Sequence, residues 1–524
     1  MMVVTQVILR ENAMKRFIHQ YTKMFHGVLS CFDRMVFKGY LPVVRADVME
    51  RLLGQNRLRI KDFGSFVQRQ SARILQNAQT VAQQAGRPVI YLQGRQRKED
   101  LVQRMVRAEG LREGLVCILR TVEPCSSFKM VPGQGRPRLV SAWRKCLTFY
   151  FYFLDREMGL MHVRIQSWFP MTIQVCVNGH ELLARKLDRH GVAYCKQDNA
   201  FTWIADVRRA QRFADRLVRI PWHRRLKRFA LRVNPLLGDV LRGMEYYWVT
   251  DQAEYATDVM FENPASLKPL YERWVKHATL YFTAEDVLSF LGRKLHGNFQ
   301  GEVLTDSKKK RWPGARVKHR VKENWIKMYD KHGCVLRIET VINQPREFKV
   351  RRRGTRKGRT VTDWFPLPKG VAHLFRYAQI CRAANGRYLD ALSAVEPPPR
   401  EAKAMQRLAR PIRRAKRSYR GFNPASEEDV ELFAALLRGE HTIHGIRNQD
   451  LREHLFSAPR DGARRRRDAN RTSRLLKRLH VHGLIAKIPR TRRWRLTAYG
   501  TVVITTILKC HYEKYPELLA ALAA

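Results

Sequence analysis

Four apolar segments of strand length follow one another closely between Gly114 and Val177. Turn signals separate them, such as Pro132-Gly133-Gln134-Gly135 and the stretch from Asp155 to Gly159. These intervals are too short for crossover helices, so neighbouring strands are predicted to be antiparallel. The four segments are LVCILRTV, KCLTFYFYFL, LMHVRIQSW and MTIQVCV.

Helices and a second β block surround these strands. Residues 11–90 read as mainly helical around an early strand at Gly27–Gly39, and helices are predicted at 181–189 and 205–219. The second β block spans Arg316–Val350, with a hairpin turn at Lys331-His332-Gly333. The sequence therefore predicts an α+β fold in which an antiparallel-sheet core carries flanking helices.

The charge balance narrows the choice of partner. The chain has 99 Lys and Arg against 47 Asp and Glu, a net charge of +52. Self-repulsion on this scale disfavours a compact state unless a polyanion neutralises it. We expect DNA, both duplex and single-stranded, or structured RNA as the partner, ahead of an anionic membrane surface. No run approaches the ~18 apolar residues of a membrane span.

Composition also indicates the compartment. Charged residues interrupt the first twenty positions, which is unlike a signal peptide. The nine cysteines are never spaced as CxxC, which argues against a disulfide framework or a thiolate zinc site. We expect a cytoplasmic, nucleoid-associated protein.

A proline-rich basic stretch marks the predicted domain boundary. Residues 396–420 combine a Pro triplet with dense positive charge and little apolar periodicity, as linkers do. The predicted regions are a mainly helical 1–110, an α+β core that engages nucleic acid at 111–395, this linker, and a C-terminal domain at 421–524.

The C-terminal domain has a readable pattern. Two short helices, Asp429–Leu437 and an Asn448-capped helix to Phe456, precede a third from Arg467 to His482 and a ribbon around Pro489-Arg-Thr-Arg492. This order resembles a winged helix-turn-helix module. The segments Leu475–Ile485 and Leu496–Gly500 are similar to the recognition helix and wing of MarR-like regulators.

That resemblance implies a third helix in the major groove and a wing on phosphates or the minor groove. The alternative is the same module used for protein contacts. Arg351–Arg353, interleaved with tryptophans such as Trp364, suit single strands or structured RNA. The predicted nucleic-acid-binding residues are Arg464, Arg465, Arg466, Arg467, Arg471, Arg474, Lys477, Arg478, Arg490, Arg492, Arg493, Arg495, Arg351, Arg352 and Arg353.

Acids within apolar strands stand out in so basic a chain, and metal-dependent phosphodiester chemistry needs several carboxylates around hydrated Mg²⁺ or Mn²⁺. Glu254 and Asp258 lie one turn apart beside Tyr255 if DQAEYATD is helical. Buried ion pairs with arginine explain such acids nearly as well. The carboxylates weighed are Asp33, Glu123, Asp198, Glu254, Asp258, Glu302, Asp306 and Glu339; the predicted metal ligands are Glu254, Asp258, Asp33, Glu123 and His162.

Tyr329-Asp330-Lys331, followed by Leu336-Arg337-Ile338-Glu339, resembles a strand pair of replication initiators from small phages and plasmids. The resemblance implies an antiparallel palm that binds a divalent metal and cuts one DNA strand through a tyrosine, with two histidines as ligands. No His-x-His lies on a predicted strand here, and His162 is the nearest substitute. The candidate catalytic residues are Glu254, Asp258, Tyr329 and Tyr255.

Two functions remain open from the sequence. One is a strand-cleaving DNA-processing factor of a mobile element, such as a recombinase, a transposase or a replication initiator. The other is a non-enzymatic DNA- or RNA-binding protein, either a regulator or a ribonucleoprotein component. The sequence has no P-loop, GxGxxG, HExxH or GxSxG motif, so nucleotide hydrolysis and acyl transfer have no support.

Overall fold

The computed structural model describes residues 14–93, 96–133, 136–293, 301–308, 314–356, 358–395, 407–414, 417–424, 426–438, 445–456, 461–489 and 491–514. Within these ranges a large, mainly antiparallel sheet carries flanking helices, which confirms the predicted α+β class. None of the helices in these ranges has both the length and the apolar character that crossing a bilayer requires.

Eleven strands in the described ranges form one sheet. They are β1 (Phe25–Tyr40), β2 (Val89–Tyr91), β3 (Gly114–Val131), β4 (Arg138–Asp155), β5 (Gly159–Gln166), β6 (Ile173–Asn178), β9 (Tyr247–Phe261), β10 (Val303–Lys308), β11 (Arg316–Val321), β12 (Asn324–Lys331) and β13 (Val335–Ile342). Their order across the sheet is β10-β11-β12-β13-β9-β1-β6-β5-β4-β3-β2. All neighbours are antiparallel except β2 and β3, so the antiparallel prediction for the block from Gly114 to Val177 is confirmed.

The other described strands form two-stranded hairpins. They are β7 (Tyr194–Gln197) with β8 (Ala200–Ile204), β14 (Lys349–Arg356) with β15 (Arg359–Pro366), β16 (Ile412–Arg414) with β17 (Arg417–Tyr419), and β18 (Ile485–Lys487) with β19 (Trp494–Leu496).

Helices pack on both faces of the sheet and form most of the C-terminal region. They are α1 (Lys15–Tyr21), α2 (Ala46–Gln55), α3 (Phe63–Gln84), α4 (Lys98–Ala108), α5 (Gly179–Arg189), α6 (Val207–Asp215), α7 (Trp222–Val233), α8 (Pro264–Leu280), α9 (Ala284–Phe290), α10 (Leu374–Leu392), α11 (Glu427–Leu436), α12 (Asn448–Leu455), α13 (Gly462–Val481) and α14 (Ala498–Lys509). The predicted helices at 181–189 and 205–219 correspond to α5 and to α6 with the 3₁₀ turn that follows it.

The two faces of the sheet differ in polarity because side chains alternate along each strand. One face is apolar, and its aromatic rings meet helices: Phe153 lies against Phe229 of α7, and Phe261 against Trp274 of α8. The opposite face carries charged and hydroxyl side chains, and α5 and the β7–β8 hairpin cover part of it. The polar face is therefore where chemistry is expected.

The segment DQAEYATD is part of strand β9, which corrects the helical alternative. A period of two places Glu254 and Asp258 on the polar face as well, but it turns Tyr255 to the apolar face. The ring of Tyr255 meets Phe32 there, with ring centroids 5.0 Å apart.

The C-terminal region has an apolar cluster of its own, which includes Leu408, Phe422, Leu479 and Ile504. Leu408 and the β16–β17 hairpin fall within the predicted linker 396–420, so the described part of that stretch is folded rather than extended. Residues 396–406 lie outside the described ranges. Asn448 is the first residue of α12, and its predicted capping position is taken by Arg447.

The predicted turn between β12 and β13 is confirmed, with His332 and Gly333 both at positive φ. Asp330 precedes this turn and is buried, and its Oδ1 atom accepts no hydrogen bond from the described residues. Burial raises the pKa of Asp330 to about 6. An ionised Asp330 should therefore cost folding free energy.

We expect Asp330→Asn to stabilise the protein by about 1 to 2 kcal/mol at pH 8. The folded-state pKa is above the unfolded value of ~3.9, so the cost of the charge appears as pH rises from ~4 to ~6 and is complete above that. Urea unfolding of both proteins at pH 4 and pH 8 measures this. An equal gain at both pH values would show that the pKa of Asp330 does not differ between the folded and unfolded states.

Candidate functional site

A β-bulge shapes the centre of the polar face. In the pairing of β1 with β9, Phe32 is opposite Tyr255 and Arg34 is opposite Glu254, so Asp33 is an extra residue. Bulges redirect side chains and are common beside active sites. Here the bulge lets the consecutive residues Asp33 and Arg34 both reach the polar face.

Three carboxylates from three adjacent strands meet at this bulge. Asp33, Glu254 and Glu339 each offer an oxygen atom, and these atoms lie within 4.8 Å of one another. The three residues, named the acidic triad below, are 6%, 8% and 1% exposed. Burial and the charge of Glu339 raise the pKa of Glu254 to about 7. Buried carboxylates at this spacing form the oxygen-only ligand set that Mg²⁺ and Mn²⁺ prefer.

Two side chains of β12 bind Glu339. Lys327 donates through Nζ to Glu339 Oε1 at 2.5 Å, and the Tyr329 hydroxyl donates to Oε2. Burial, followed by the nearby charge of Glu339, raises the pKa of Tyr329 well above its usual range. The predicted catalytic residue Tyr329 is therefore next to the triad, with a carboxylate positioned to accept its proton.

Asp258 is beside the triad in a different role. Its two oxygens accept from Nε and Nη2 of Arg337, each at 2.6 Å, and both side chains are fully buried. Burial disfavours the charge of Asp258, but Arg337 and His180 outweigh it and hold its pKa below the usual range. This is the buried ion pair with arginine that the sequence left as an alternative.

Arg337 and His180 connect Asp258 to the triad. Arg337 Nη1 donates to Asp33 Oδ1 at 3.2 Å, and Nη2 donates to the backbone oxygen of Asn199 at 2.8 Å. His180 Nδ1 lies 3.1 Å from Asp33 Oδ1. The polar face thus holds alternating acids and cations rather than an isolated acidic pocket.

The local sequence at the start of α5 explains why His180 lies beside Asp33 at the bulge. Asn178 ends β6 and caps α5, accepting from the backbone N–H of Glu181 at 3.0 Å. At Gly179 a Cβ atom would lie 2.1 Å from the backbone oxygen of Phe32, so only glycine allows this approach. The close approach brings the next residue, His180, against the bulge.

Within the described residues, the predicted metal ligands Glu123 and His162 lie apart from the acidic triad. Glu123 accepts hydrogen bonds from Tyr150 at 2.8 Å, Lys98 at 2.9 Å and Arg164 at 3.1 Å. Burial, with the charge of Arg34, lowers the pKa of His162 to about 3. Both residues belong to a second polar cluster on β3, β4 and β5, and the structure does not bring them to the acidic triad.

A groove of about 1880 Å³ runs along the polar face between these clusters. Its charged lining is mixed, and its rings include Tyr150 and Tyr152. The cations are Arg34, Arg107, Arg164, Arg185, Lys196 and Lys369, and the acids are Glu99, Glu181, Asp188, Asp198, Asp251 and Glu323. Asn199, which donates to Asp33 at 2.7 Å, also lines the groove. The triad is therefore immediately behind the groove wall.

Arg34 is exposed in this groove, directly opposite Glu254 in the β1–β9 pairing. Within the described ranges, no acid lies within ion-pair distance of its guanidinium. Burial opposes the charge of Arg34, but Glu254 outweighs this and raises its pKa further. Arg34 is therefore an exposed cation in the groove, opposite Glu254 of the triad.

The arginines of the C-terminal region differ in exposure. On α13 the side chains of Arg464, Arg465, Arg466, Arg467, Arg471, Arg474 and Lys477 are exposed. Arg478 is instead structural: it binds Asp429 at 3.1 Å and its guanidinium lies 3.8 Å from the Phe422 ring centroid. In the β18–β19 ribbon Arg492 and Arg495 are exposed and Arg493 is half-buried, while Arg490 lies outside the described residues.

The third predicted basic set lies on β14. Arg351 and Arg353 are exposed, whereas Arg352 is half-buried, with its guanidinium 5.0 Å from the Phe365 ring centroid.

Sequence reasoning missed Arg337, Lys327, His180, Asn199 and Arg34 as members of this site. A signal existed on β12 and β13, where charged or hydroxyl residues recur at every second position of otherwise apolar strands. Such alternation marks one face of a strand. No protein-family model, curated protein or solved structure matches this chain.

Proposed function

We propose that this chain is a nucleic-acid-processing protein that cleaves a DNA strand at the acidic triad with Mg²⁺ or Mn²⁺. The convergence of Asp33, Glu254 and Glu339 beside a polar groove, into which the exposed cation Arg34 points, is the observation that supports this proposal most. These three residues would hold the ion. Bound there, the metal would neutralise charge that develops on the scissile phosphate.

The residues around the triad have distinct roles in the proposed reaction. Arg34, exposed in the groove, binds the scissile phosphate. Tyr329 Oη attacks phosphorus as its proton passes to Glu339. A Tyr–O–P bond forms, the bond from phosphorus to the 3′ oxygen breaks, and the 3′ oxygen leaves with the bonding electrons and takes a proton from water to become a hydroxyl. The product is a 5′-phosphotyrosine with a free 3′ end. Such a product would suit a strand-cleaving factor of a mobile element acting at the nucleoid, such as a recombinase, a transposase or a replication initiator.

The C-terminal region would find the site. Helices α11–α13 followed by the β18–β19 ribbon have the order of a winged helix-turn-helix module. Four of the exposed arginines lie along one face of α13: Arg464, Arg467, Arg471 and Arg474. We propose that α13 enters a major groove while Arg492 and Arg495 contact phosphates.

A second function is favoured by a specific observation: triad acids already have cationic partners, Arg337 for Asp33 and Lys327 for Glu339. A chain with this network could bind DNA or RNA as a regulator or ribonucleoprotein component without any metal. In that case its acids serve to neutralise buried cations.

The decisive experiment incubates the full chain with supercoiled, single-stranded and hairpin DNA, each with Mg²⁺, Mn²⁺ or EDTA. We expect metal-dependent cleavage and a covalent protein–DNA adduct, which Tyr329→Phe abolishes because the hydroxyl is missing. Cleavage without an adduct would assign the attack to water. No cleavage with either metal, together with co-purifying RNA, would favour the non-enzymatic function.

Binding should depend strongly on salt. Each phosphate neutralised on a duplex contributes about −0.9 to the slope of log K against log salt. We expect a slope steeper than about −3 in titrations of a duplex with the full chain. A shallower slope would contradict the inference drawn from the +52 charge.

Removal of the C-terminal region should weaken duplex binding without unfolding the rest of the chain. We expect a chain ending at Val395 to stay folded and to lose most duplex affinity and all sequence preference. The cut precedes Leu408 because Leu408 and Phe422 pack in the C-terminal cluster. Circular dichroism and duplex titration test this, and an insoluble fragment would show that the two apolar clusters depend on each other.

A further inference from the structure

The β14–β15 hairpin is outside the main sheet, and among the described residues its strands pair only with each other. Its base is anchored: Val350 is buried, and the backbone N–H of Leu367 donates to the oxygen of Phe348 at 2.8 Å. We call residues 349–366, apart from residue 357, which the structure does not describe, the β14–β15 arm.

One face of this arm is uniformly exposed. It carries Lys349, Arg351 and Arg353 on β14, with Trp364 directly opposite Arg351 on β15. The Trp364 side chain is 63% exposed. Among the described residues, no acid is within ion-pair distance of these three cations. An exposed indole beside a row of cations offers a ligand a stacking face and a charged row together.

The chemistry of this face fits a single strand of nucleic acid. Alternate residues of a strand are about 7 Å apart, so the three cations form a row that can follow a phosphate backbone. A base can stack on the indole of Trp364, which is worth ~1 to 3 kcal/mol per base. In a duplex the base faces are already covered by their neighbours, so the ring offers a duplex little.

The arm is followed in sequence by a residue that lines the groove. Lys369, three residues beyond β15, lines the groove together with Asn343 and Gln252. Its backbone oxygen accepts from the N–H of Thr250, near the start of β9. A strand lying on the arm can therefore continue into the groove toward Glu254.

We propose that the β14–β15 arm binds single-stranded DNA, with a base on Trp364 and phosphates on Lys349, Arg351 and Arg353, and delivers it to the groove. The delivery rests on the proposed function, whereas the binding does not. Trp364 is thus assigned as the residue that selects single strands over duplexes.

The test measures binding of fluorescein-labelled dT20 and of a 20-bp duplex to the full chain in EDTA, where cleavage cannot occur. We expect Trp364→Ala to weaken dT20 binding about tenfold and to leave duplex binding within about twofold. Trp364→Phe should restore most of the affinity because it keeps an aromatic face. Tyr281→Ala, which removes a ring that is 47% exposed at the end of α8, is the matched control and should bind like the wild type.

Charge and stacking can be separated in the same assay. Arg353→Gln should reduce the salt slope for dT20 by about 0.7, while Trp364→Ala should leave that slope unchanged. Wild-type affinity of Trp364→Ala for dT20, or an equal loss for dT20 and duplex, would overturn the proposal. So would equal competition by a poly-Glu peptide, which would indicate an acidic protein partner.

The outcome is independent of the proposed cleavage. Selective loss of dT20 binding in Trp364→Ala supports the arm even if the wild type cuts no DNA with any metal. Conversely, a cutting enzyme whose Trp364→Ala variant binds dT20 normally retains the proposed function and loses this inference.

Discussion

Replacing Glu339 or Glu254 with Gln is expected to lower metal-dependent DNA cleavage by about a thousandfold or more. Either change removes a charged oxygen from the triad while keeping the side-chain shape. DNA affinity should be unchanged or slightly higher, because a negative charge near the groove is lost. Cleavage rates with saturating Mn²⁺ and duplex titrations in EDTA measure the two effects separately.

Glu347→Gln is the matched control. Glu347 is a half-buried acid held in ion pairs with Arg293 at 2.7 Å and Lys322 at 3.3 Å, and it is not in the triad. We expect this variant to cleave like the wild type. If the triad variants lose stability and the wild type cleaves nothing with any metal, the acids are partners of Lys327 and Arg337, as in the second candidate function.

Metal binding gives an independent readout of the triad. Mn²⁺ should raise the melting temperature of the wild type, because a ligand that binds only the folded state stabilises it. The increase should disappear in Glu254→Gln. The metal-free variant should melt above the metal-free wild type, because Gln relieves the repulsion between Glu254 and Glu339 that contributes to the raised pKa of Glu254.

Asp258→Asn is expected to destabilise the core by about 3 kcal/mol, the largest stability change we predict. The substitution leaves Arg337 fully buried without its bidentate partner, and Asp33 at 3.2 Å compensates only in part. Urea unfolding in EDTA measures the loss. Asp47→Asn removes an exposed partner of Arg45 and Arg51 and should have no measurable effect.

The Asp258→Asn variant also distinguishes two roles of Asp258. The sequence proposed it as a metal ligand and catalytic residue, whereas its contacts are those of an arginine partner. Loss of cleavage at unchanged stability would show that Asp258 is a ligand and that the ion-pair interpretation is wrong.

Much of the fold was predicted from the periodicity of the strands. Apolar runs with closely spaced turn signals predicted β3 to β6 correctly, because side-chain alternation and turn chemistry are local properties of the chain. Acids within such runs also stood out, which is why Asp33 and Glu254 were candidates before their positions were known, whereas Tyr329 was a candidate through the resemblance to replication initiators. Glu339 was weighed with them but was not among the predicted ligands.

The errors came from periods and pairings that the sequence leaves ambiguous. A spacing of four places Glu254 and Asp258 on one face of a helix or of a strand alike. The position of Tyr255 distinguishes a helix from a strand. In a helix Tyr255 would lie beside the two acids, whereas in the observed strand its side chain is on the opposite face. Glu123 and His162 have suitable chemistry, but they are on strands at a distance from β9 and β13 in the sheet order.

The sequence by itself determined the charge, the antiparallel α+β character and the helix-rich C-terminal region, since these follow from composition and local periodicity. Only the tertiary structure decided that β1, β9 and β13 are neighbours, that a bulge exposes Asp33 to the polar face, and that Arg337 takes Asp258 rather than leaving it to a metal. The physical reason is that strand order and ion-pair choice depend on contacts between residues far apart in sequence. Those contacts are selected by the free energy of the whole fold, which no local pattern contains.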